Sequence, residues 1–323
     1  MNAFKSAYGD LLQSFIKYKR GLGYKFKTEE YKYLEIDRFF SSLGEISIGI
    51  TQELAEKWAT RRPNESDSNR YSRVHYLIKF AEYLNDIGHP SYVPKHLAEY
   101  KSTFTPYIFT RQGMDNILRA SDVLGISNYK ETCGDAAPAV LRVLYGTGIR
   151  ISEAVALRAF DVDLDECFLI VRQSKNGKER KLPFKESLAD VCRKYRKKVE
   201  ARGHGNGRFF VKMNGRPCSE KAIYEWFRKA LRRVGIHHCG RGQGPRLHDI
   251  RHSFSVHSLA IMANAGLDLY YSLPVLSEYL GHQSLSATEK YVRLTSEMYP
   301  GLLKDTRKTY GYVFPEVHEY ETY

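Results

Sequence analysis

Apolar residues recur at helical spacing through most of the chain. Phe4–Tyr18 and Glu29–Leu43 predict two helices, and Glu53–Arg61 a shorter third. Ser68–Ile87 predicts a fourth, with Tyr71, Val74, Leu77, Ile78, Ala81 and Leu84 on one broad face. Gly21-Leu-Gly23, Gly44, Arg62-Pro-Asn64 and Gly88-His-Pro90 separate them. Four helices before residue 100 amount to a small bundle. Residues 99–110 lose the periodicity, contain Pro106 and lead to an N-cap candidate, Thr110, so they read as a linker. The expected division is a helical domain over 1–104 and a second domain over 105–323.

The second part mixes two periods. Arg111–Ser121, Ala136–Tyr145, Ser187–Ala201 and Ser219–Val234 have helical spacing. Cys167–Arg172 and Arg180–Phe184 are short β-prone runs flanking Ser174-Lys-Asn-Gly-Lys178, and Asn-Gly is a strong hairpin signal. From Asp249 a helix runs to Gly266 with Ile250, Phe254, His257, Ile261 and Ala265 as its apolar stripe. Val275–Leu280 predicts a short helix after Pro274, stopped by Gly281. Ser286-Ala-Thr-Glu289 reads as a capping box that opens the last helix. The fold class is mostly α with a small antiparallel β-sheet: a helical domain followed by an α+β domain.

At 323 residues, with 42% hydrophobic residues, the chain has room for two domains and a sizeable core. A net charge of +13 points to a polyanionic partner, of which nucleic acid is the commonest, and most of the excess falls after residue 104. Arg70, Arg73 and Lys79 on the fourth helix, and Arg228 and Arg232 late in Ser219–Val234, are either a solvated face or contacts to phosphates. Cys133, Cys167, Cys192, Cys218 and Cys239 form no CxxC pair, as expected of a reduced, cytoplasmic protein. His237-His-Cys239 lacks the second pair of a zinc site, so no metal or other cofactor is expected. There is no signal-peptide core near the N-terminus and no apolar run long enough to span a membrane.

Chemistry concentrates in a few places. Arg150 and Glu153 share a face of an otherwise apolar segment. Lys175 sits at the hairpin tip. His248 and Arg251 are three apart, His282 follows the Gly281 stop, and Tyr291 lies about one turn into the last helix. This is an inventory for phosphodiester chemistry without a metal. A tyrosine attacking phosphorus builds negative charge on the non-bridging oxygens, which Arg150 and Arg251 suit. Tyrosine ionises near pH 10, so its proton needs an acceptor, for which His248 is the candidate. Lys175 can protonate the leaving 5′ oxygen, and His282 can hydrogen-bond a phosphate oxygen.

These segments resemble those of the tyrosine recombinases, or phage-type integrases. LYGTGIRISEAVAL at 144–157, SKNGKERKLP at 174–183, LHDIRHSF at 247–254 and LGH at 280–282 match its boxes in order, with Tyr291 nine residues after His282. The likeness covers about 110–300. Residues 1–104 resemble the family's helical core-binding domain in general pattern. The resemblance implies a site-specific DNA recombinase that cleaves and rejoins strands through a 3′-phosphotyrosyl intermediate, with Arg150, Lys175, His248, Arg251, His282 and Tyr291 as catalytic residues. It implies double-stranded DNA as the partner. It also implies a homo-tetramer exchanging strands through a Holliday junction, with or without a related recombinase.

Two features depart from the pattern. Gly266–Leu280 is longer than the family's usual connection and is expected to alter a loop beside the site. No arm-binding domain is expected ahead of the core-binding region, which resembles Xer-like or transposon-borne members. The aromatic, acidic tail 302–323 suits docking onto its own subunit or a neighbour. A type IB topoisomerase, or a DNA-binding regulator that has lost catalysis, are the alternatives. The first shares much of the residue set, and the second has no use for Tyr291 with both arginines.

Overall fold

The computed structural model describes residues 4–26, 28–44, 47–98, 105–125, 132–172, 179–205, 207–237, 244–282 and 284–299. Lys175 with the rest of its turn, His238-Cys239 and the tail 302–323 lie outside the described residues. The chain divides into two compact units, Met1–Phe104 and Thr105–Tyr323.

The first unit is built from α1 (Gly9–Gly21), α2 (Thr28–Leu43), α3 (Gln52–Ala59) and α4 (Asp67–Asp86). Thr51 and Ser66 cap α3 and α4 by accepting from Leu54 N–H and Asn69 N–H. The core is aromatic: Tyr8, Phe15, Tyr33, Phe40, Trp58 and Phe80 are buried in it. Asp37, also buried, ties the start of the chain to α2 by accepting from Lys5 N–H, Ser6 N–H and the Ser6 hydroxyl.

The second unit contains α5 (Arg111–Leu124), α6 (Ala136–Thr147), α7 (Ile151–Ala156), β1 (Val162–Asp163), β2 (Phe168–Val171), β3 (Arg180–Pro183), α8 (Glu186–Ala201), α9 (Glu220–Arg233), α10 (Asp249–Asn264), α11 (Leu269–Leu280) and α12 (Ser286–Met298). The sheet is antiparallel in the order β1-β2-β3, with Val171 opposite Arg180 where the hairpin opens. Thr110 and Ser219 cap α5 and α9. Phe109, expected in the linker, is buried in the core, and its N–H donates to Ser253 on α10.

This unit has two apolar cores. One gathers residues of α5, α6, α8, α9 and the sheet, and the other joins α10 to α11 and α12. Helix α10 belongs to both, Ile250 lying in the first and Val256 and Leu259 in the second. That corrects the expected single stripe. Ile261 is 54% exposed, while buried residues run around most of the helix because α6 and the α11–α12 pair cover it from different sides.

Gly266–Leu280 is also not an extended loop. It folds into α11, with Pro274 inside the helix. A proline there forfeits a backbone hydrogen bond and costs about 3 kcal/mol. Leu273, Leu276 and Leu280 bury their side chains against α10 and α12, each worth roughly 1.5–3 kcal/mol, and that outweighs the loss. Helix α12 begins without the expected capping box: its N-cap is Leu285, with no side-chain cap bond. Thr288, in its first turn, is used otherwise.

Candidate active site

Helix α6 ends at Gly148, whose φ of +62° is left-handed. A Cβ on it would lie 2.3 Å from Cδ1 of Phe254, so both the turn and the packing require glycine. Two residues later Arg150 stands at the entrance to α7. Glu153, in the first turn, accepts from the Arg150 N–H at 2.9 Å and from its guanidinium at 3.0 Å. The Arg150 side chain keeps 24% exposure while Glu153 is almost wholly buried. The arginine is therefore partnered but open on one side.

Arg251, on α10, is 2% exposed. It donates to Gly148 O at 2.6 Å and to Leu280 O at 2.8 Å, and it meets His282 Nε2 at 3.0 Å. A guanidinium only donates, so Nε2 accepts and the ring proton lies on Nδ1, facing Thr288 Oγ1 at 2.8 Å. One guanidinium thus joins the ends of α6 and α11 to the first turn of α12. Burial, and then the nearby Arg150, lower Arg251 to about 10, which leaves it charged at neutral pH. Burial followed by Arg251 and Arg150 brings His282 down to about 4, so its ring is neutral.

Tyr291 is 1% exposed and packs with the α10–α12 core. Its hydroxyl pairs with Nδ1 of His252 at 2.8 Å. The sequence gave the proton-acceptor role to His248; the imidazole on the hydroxyl is that of His252. His248 is the N-cap of α10 and is exposed, whereas His252, one turn on, is buried against α12. Their rings meet edge to face at 4.8 Å. Burial, then His248 and the cations Lys290, Arg246 and Arg251, lower His252 to about 3, and burial raises Tyr291 above its usual value. With the two shifted apart, the proton stays on the tyrosine, which donates to Nδ1. The packing around His248, and then Arg251, Arg150, Arg246 and Lys290, lower it to about 4, so it too is neutral near pH 7.

The remaining sequence candidates scatter. Lys175 is outside the described residues. Arg73 is corrected: it is 3% exposed and makes a forked bond to Glu65, with Nε and Nη2 each 2.8 Å from a carboxylate oxygen. It lies over the Trp58 ring and donates to Thr60 O. The spacing Arg73, Leu77, Phe80, Leu84 puts it on the buried stripe of α4, so it faces the interior and is no phosphate contact. Arg70 donates to Ala59 O, Lys79 pairs with Glu82, and Arg228 donates to the Tyr224 hydroxyl. Arg232 is exposed in the last turn of α9.

Sequence reasoning missed one further participant, Arg180. It is 9% exposed at its side chain and donates to the same Glu153 carboxylate oxygens as Arg150. Its signal was present: alternation along β3 puts Arg180 in phase with buried Leu182, and an inward arginine needs a partner.

Comparison with known proteins identifies the family. The profile of the phage integrase family matches residues 114–298. The chain belongs to the phage integrase family. It is a site-specific recombinase of the tyrosine type. Among its relatives is a protein named as an integrase/recombinase, y4rB of Sinorhizobium fredii, 28% identical over 302 residues that cover 91% of this chain and 95% of that one. The tyrosine recombinase XerA of Pyrococcus furiosus is 31% identical over 161 residues, 49% of this chain and 50% of its own length. In fold, the chain is similar to the XerH site-specific recombinase in a crystal structure with its difH substrate, with a TM-score of 0.64 at 18% identity, covering 91% of this chain and 82% of that one.

Proposed function

We propose that this recombinase breaks and rejoins duplex DNA with Tyr291 as nucleophile. The tyrosine oxygen attacks a backbone phosphorus, the bond to the 5′ oxygen breaks, and the 3′ phosphate is left esterified to Tyr291. The phenolic proton passes to His248, which is neutral and solvent-facing and whose ring meets that of His252. The leaving 5′ oxygen takes a proton from Lys175. Arg150 and Arg251 offset the charge gathering on the non-bridging oxygens, and His282 hydrogen-bonds one of them. A second 5′-hydroxyl reverses the step without an energy source, because the ester conserves the broken bond.

The observation that carries the reading is the convergence on Arg251. Gly148, next to Arg150's turn, binds it from one core, and Leu280 and His282 bind it from the other. Tyr291 rests against His252 one residue further along α10. A hydroxyl this buried cannot meet a phosphate, so the reading requires Tyr291 to leave His252 when DNA binds.

The DNA-contacting surface, on this reading, includes Arg70, Lys79, Arg228 and Arg232, with residues 1–104 as the core-binding domain and 105–323 as the catalytic one. Four protomers on two duplexes exchange strands in pairs through a Holliday junction. A plasmid carrying two copies of a site selected by binding from random duplexes tests this. Recombinant circles are the expected product; relaxation without recombinants points to a topoisomerase. Lys175→Ala is expected to slow cleavage, with rescue when the 5′ bridging oxygen is replaced by sulfur, which leaves without a proton. Absence of rescue removes Lys175 from the acid role.

A further inference from the structure

Three segments that carry proposed catalytic residues meet at a side chain with no assigned part in the chemistry. Arg180 opens β3, the strand that follows the Lys175 turn. Its Nη2 and Nη1 bond the two Glu153 oxygens at 2.7 and 3.2 Å, and its Nε donates to Tyr279 O at 3.2 Å. Glu153 in turn holds both the N–H and the guanidinium of Arg150. Tyr279 is three residues before His282, and the guanidinium lies against the intervening Gly281. A Cβ on Gly281, whose φ is +67°, would sit 3.1 Å from Nη1 and 3.2 Å from Cζ of Arg180. Arg180 therefore touches the mounting of Arg150 on one side and the turn that presents His282 on the other.

We infer that Arg180 is a positioning residue for the phosphate clamp: it sets Arg150, through Glu153, and His282, through the Tyr279–Gly281 turn, at a fixed separation. A planar fork suits the task, since it makes three directed bonds to two segments at once. A lysine offers one charge and no fork. Burial works against the Glu153 carboxylate, but the bonds from Arg180 and from the Arg150 backbone outweigh it and keep the carboxyl ionised, below its ordinary range. The junction is thus fully charged and almost closed to water, and it stays rigid while Arg150 keeps its open side.

The inference rests on the proposed cleavage reaction, and the test separates the two. Arg180→Lys and Arg180→Met are compared with the wild type on a nicked duplex carrying the selected site, after thermal melting shows which variants are folded. DNA affinity is expected to hold, while covalent-adduct formation falls by about 10²-fold, the usual consequence of a clamp displaced by about 1 Å. The loss should shrink towards none on a methylphosphonate at the scissile position, because a neutral linkage makes little use of a guanidinium clamp. It should persist with a 5′ bridging sulfur, which relieves only the acid. An equal loss on all three substrates, or an Arg180→Met protein as active as the wild type, overturns the role.

Failure of the wild type to form any adduct counts against the cleavage reaction instead. In that case the ring ¹⁵N resonances of His282 in the DNA-free protein decide. Arg180→Lys should move them and leave those of His257 in place. Unmoved His282 resonances overturn the inference.

Discussion

Among the described residues are two forked, buried Arg–Glu pairs, one in each unit, and they differ in what surrounds them. Arg73–Glu65 is 3% and 4% exposed at its side chains; Arg73 also donates to the Thr60 carbonyl and lies over the Trp58 ring, and Glu65 also accepts from the Arg62 backbone N–H. The pair fastens the loop before α4 to the helix and ends there. Arg180–Glu153 is almost as closed, but Glu153 is shared with Arg150, which is open. A buried ion pair is weak evidence for function by itself, because leaving one partner unpaired is costly wherever it occurs. What distinguishes the second pair is the third charge, held by the same carboxylate and facing outward.

Substitution should separate them. Glu153→Gln has the largest expected effect: a stability loss of about 3–5 kcal/mol from an unpaired buried guanidinium, and adduct formation lowered by about 10²-fold in the molecules that remain folded. Glu65→Gln should lose a similar 3–5 kcal/mol and leave adduct formation per folded molecule unchanged. Urea melts combined with active-molecule titration measure both. An activity loss in Glu65→Gln that matches Glu153→Gln would erase the distinction between the two pairs.

A smaller effect is expected at the nucleophile's resting place. His252→Ala leaves the Tyr291 hydroxyl buried without its partner, for a loss of about 1–3 kcal/mol. Tyr291→Phe should cost less than His252→Ala, since it removes a donor and leaves only an imidazole nitrogen to re-pair. A cycle of the two substitutions gives the coupling.

The last effects are those of pH. His252, His257 and His282 sit well below their ordinary value, chiefly through burial. Above pH 6.5 the folded and unfolded imidazoles are both neutral and add nothing. As pH falls from 6.5 towards 4 the unfolded chain takes up protons that the folded one refuses, so stability falls, by up to roughly 1.4 kcal/mol per pH unit for each buried ring. Glu65 acts lower: Arg73 holds it near 2, so its contribution is complete above about 4.5 and is lost as pH falls towards 2. Stability measured at pH 7.5, 6 and 5 should therefore decline already in the upper interval, before any carboxylate titrates.

Much of this was legible in the chain. Period and punctuation marked most of the helices, and Thr110, Ser219 and Gly281 did what their residue types suggest. The failures have physical causes. Pro274 read as a break because local chemistry forbids it, and three buried leucines overrode it. Ile261 read as core because a single stripe was assumed for a helix that is covered from more than one side. Arg73 read as surface because it is charged, although its spacing from Leu77, Phe80 and Leu84 placed it inside. His252 could not be told from His248 on spacing alone: both lie near Arg251, and only the packing of α12 against α10 decides which ring meets Tyr291. Arg180 shows the same limit, since its hydrogen-bond partners Glu153 and Tyr279 lie 27 and 99 residues from it along the chain.

The central claim is that Tyr291 attacks the DNA, and a nicked suicide duplex tests it most directly. The nick lets the short 5′-hydroxyl fragment diffuse away and traps the intermediate. The wild type should yield a covalent protein–DNA adduct whose digested peptide carries the nucleotide on Tyr291, and Tyr291→Phe should yield none while still binding the duplex. An adduct that persists in Tyr291→Phe, or one mapped to another residue, would contradict the account.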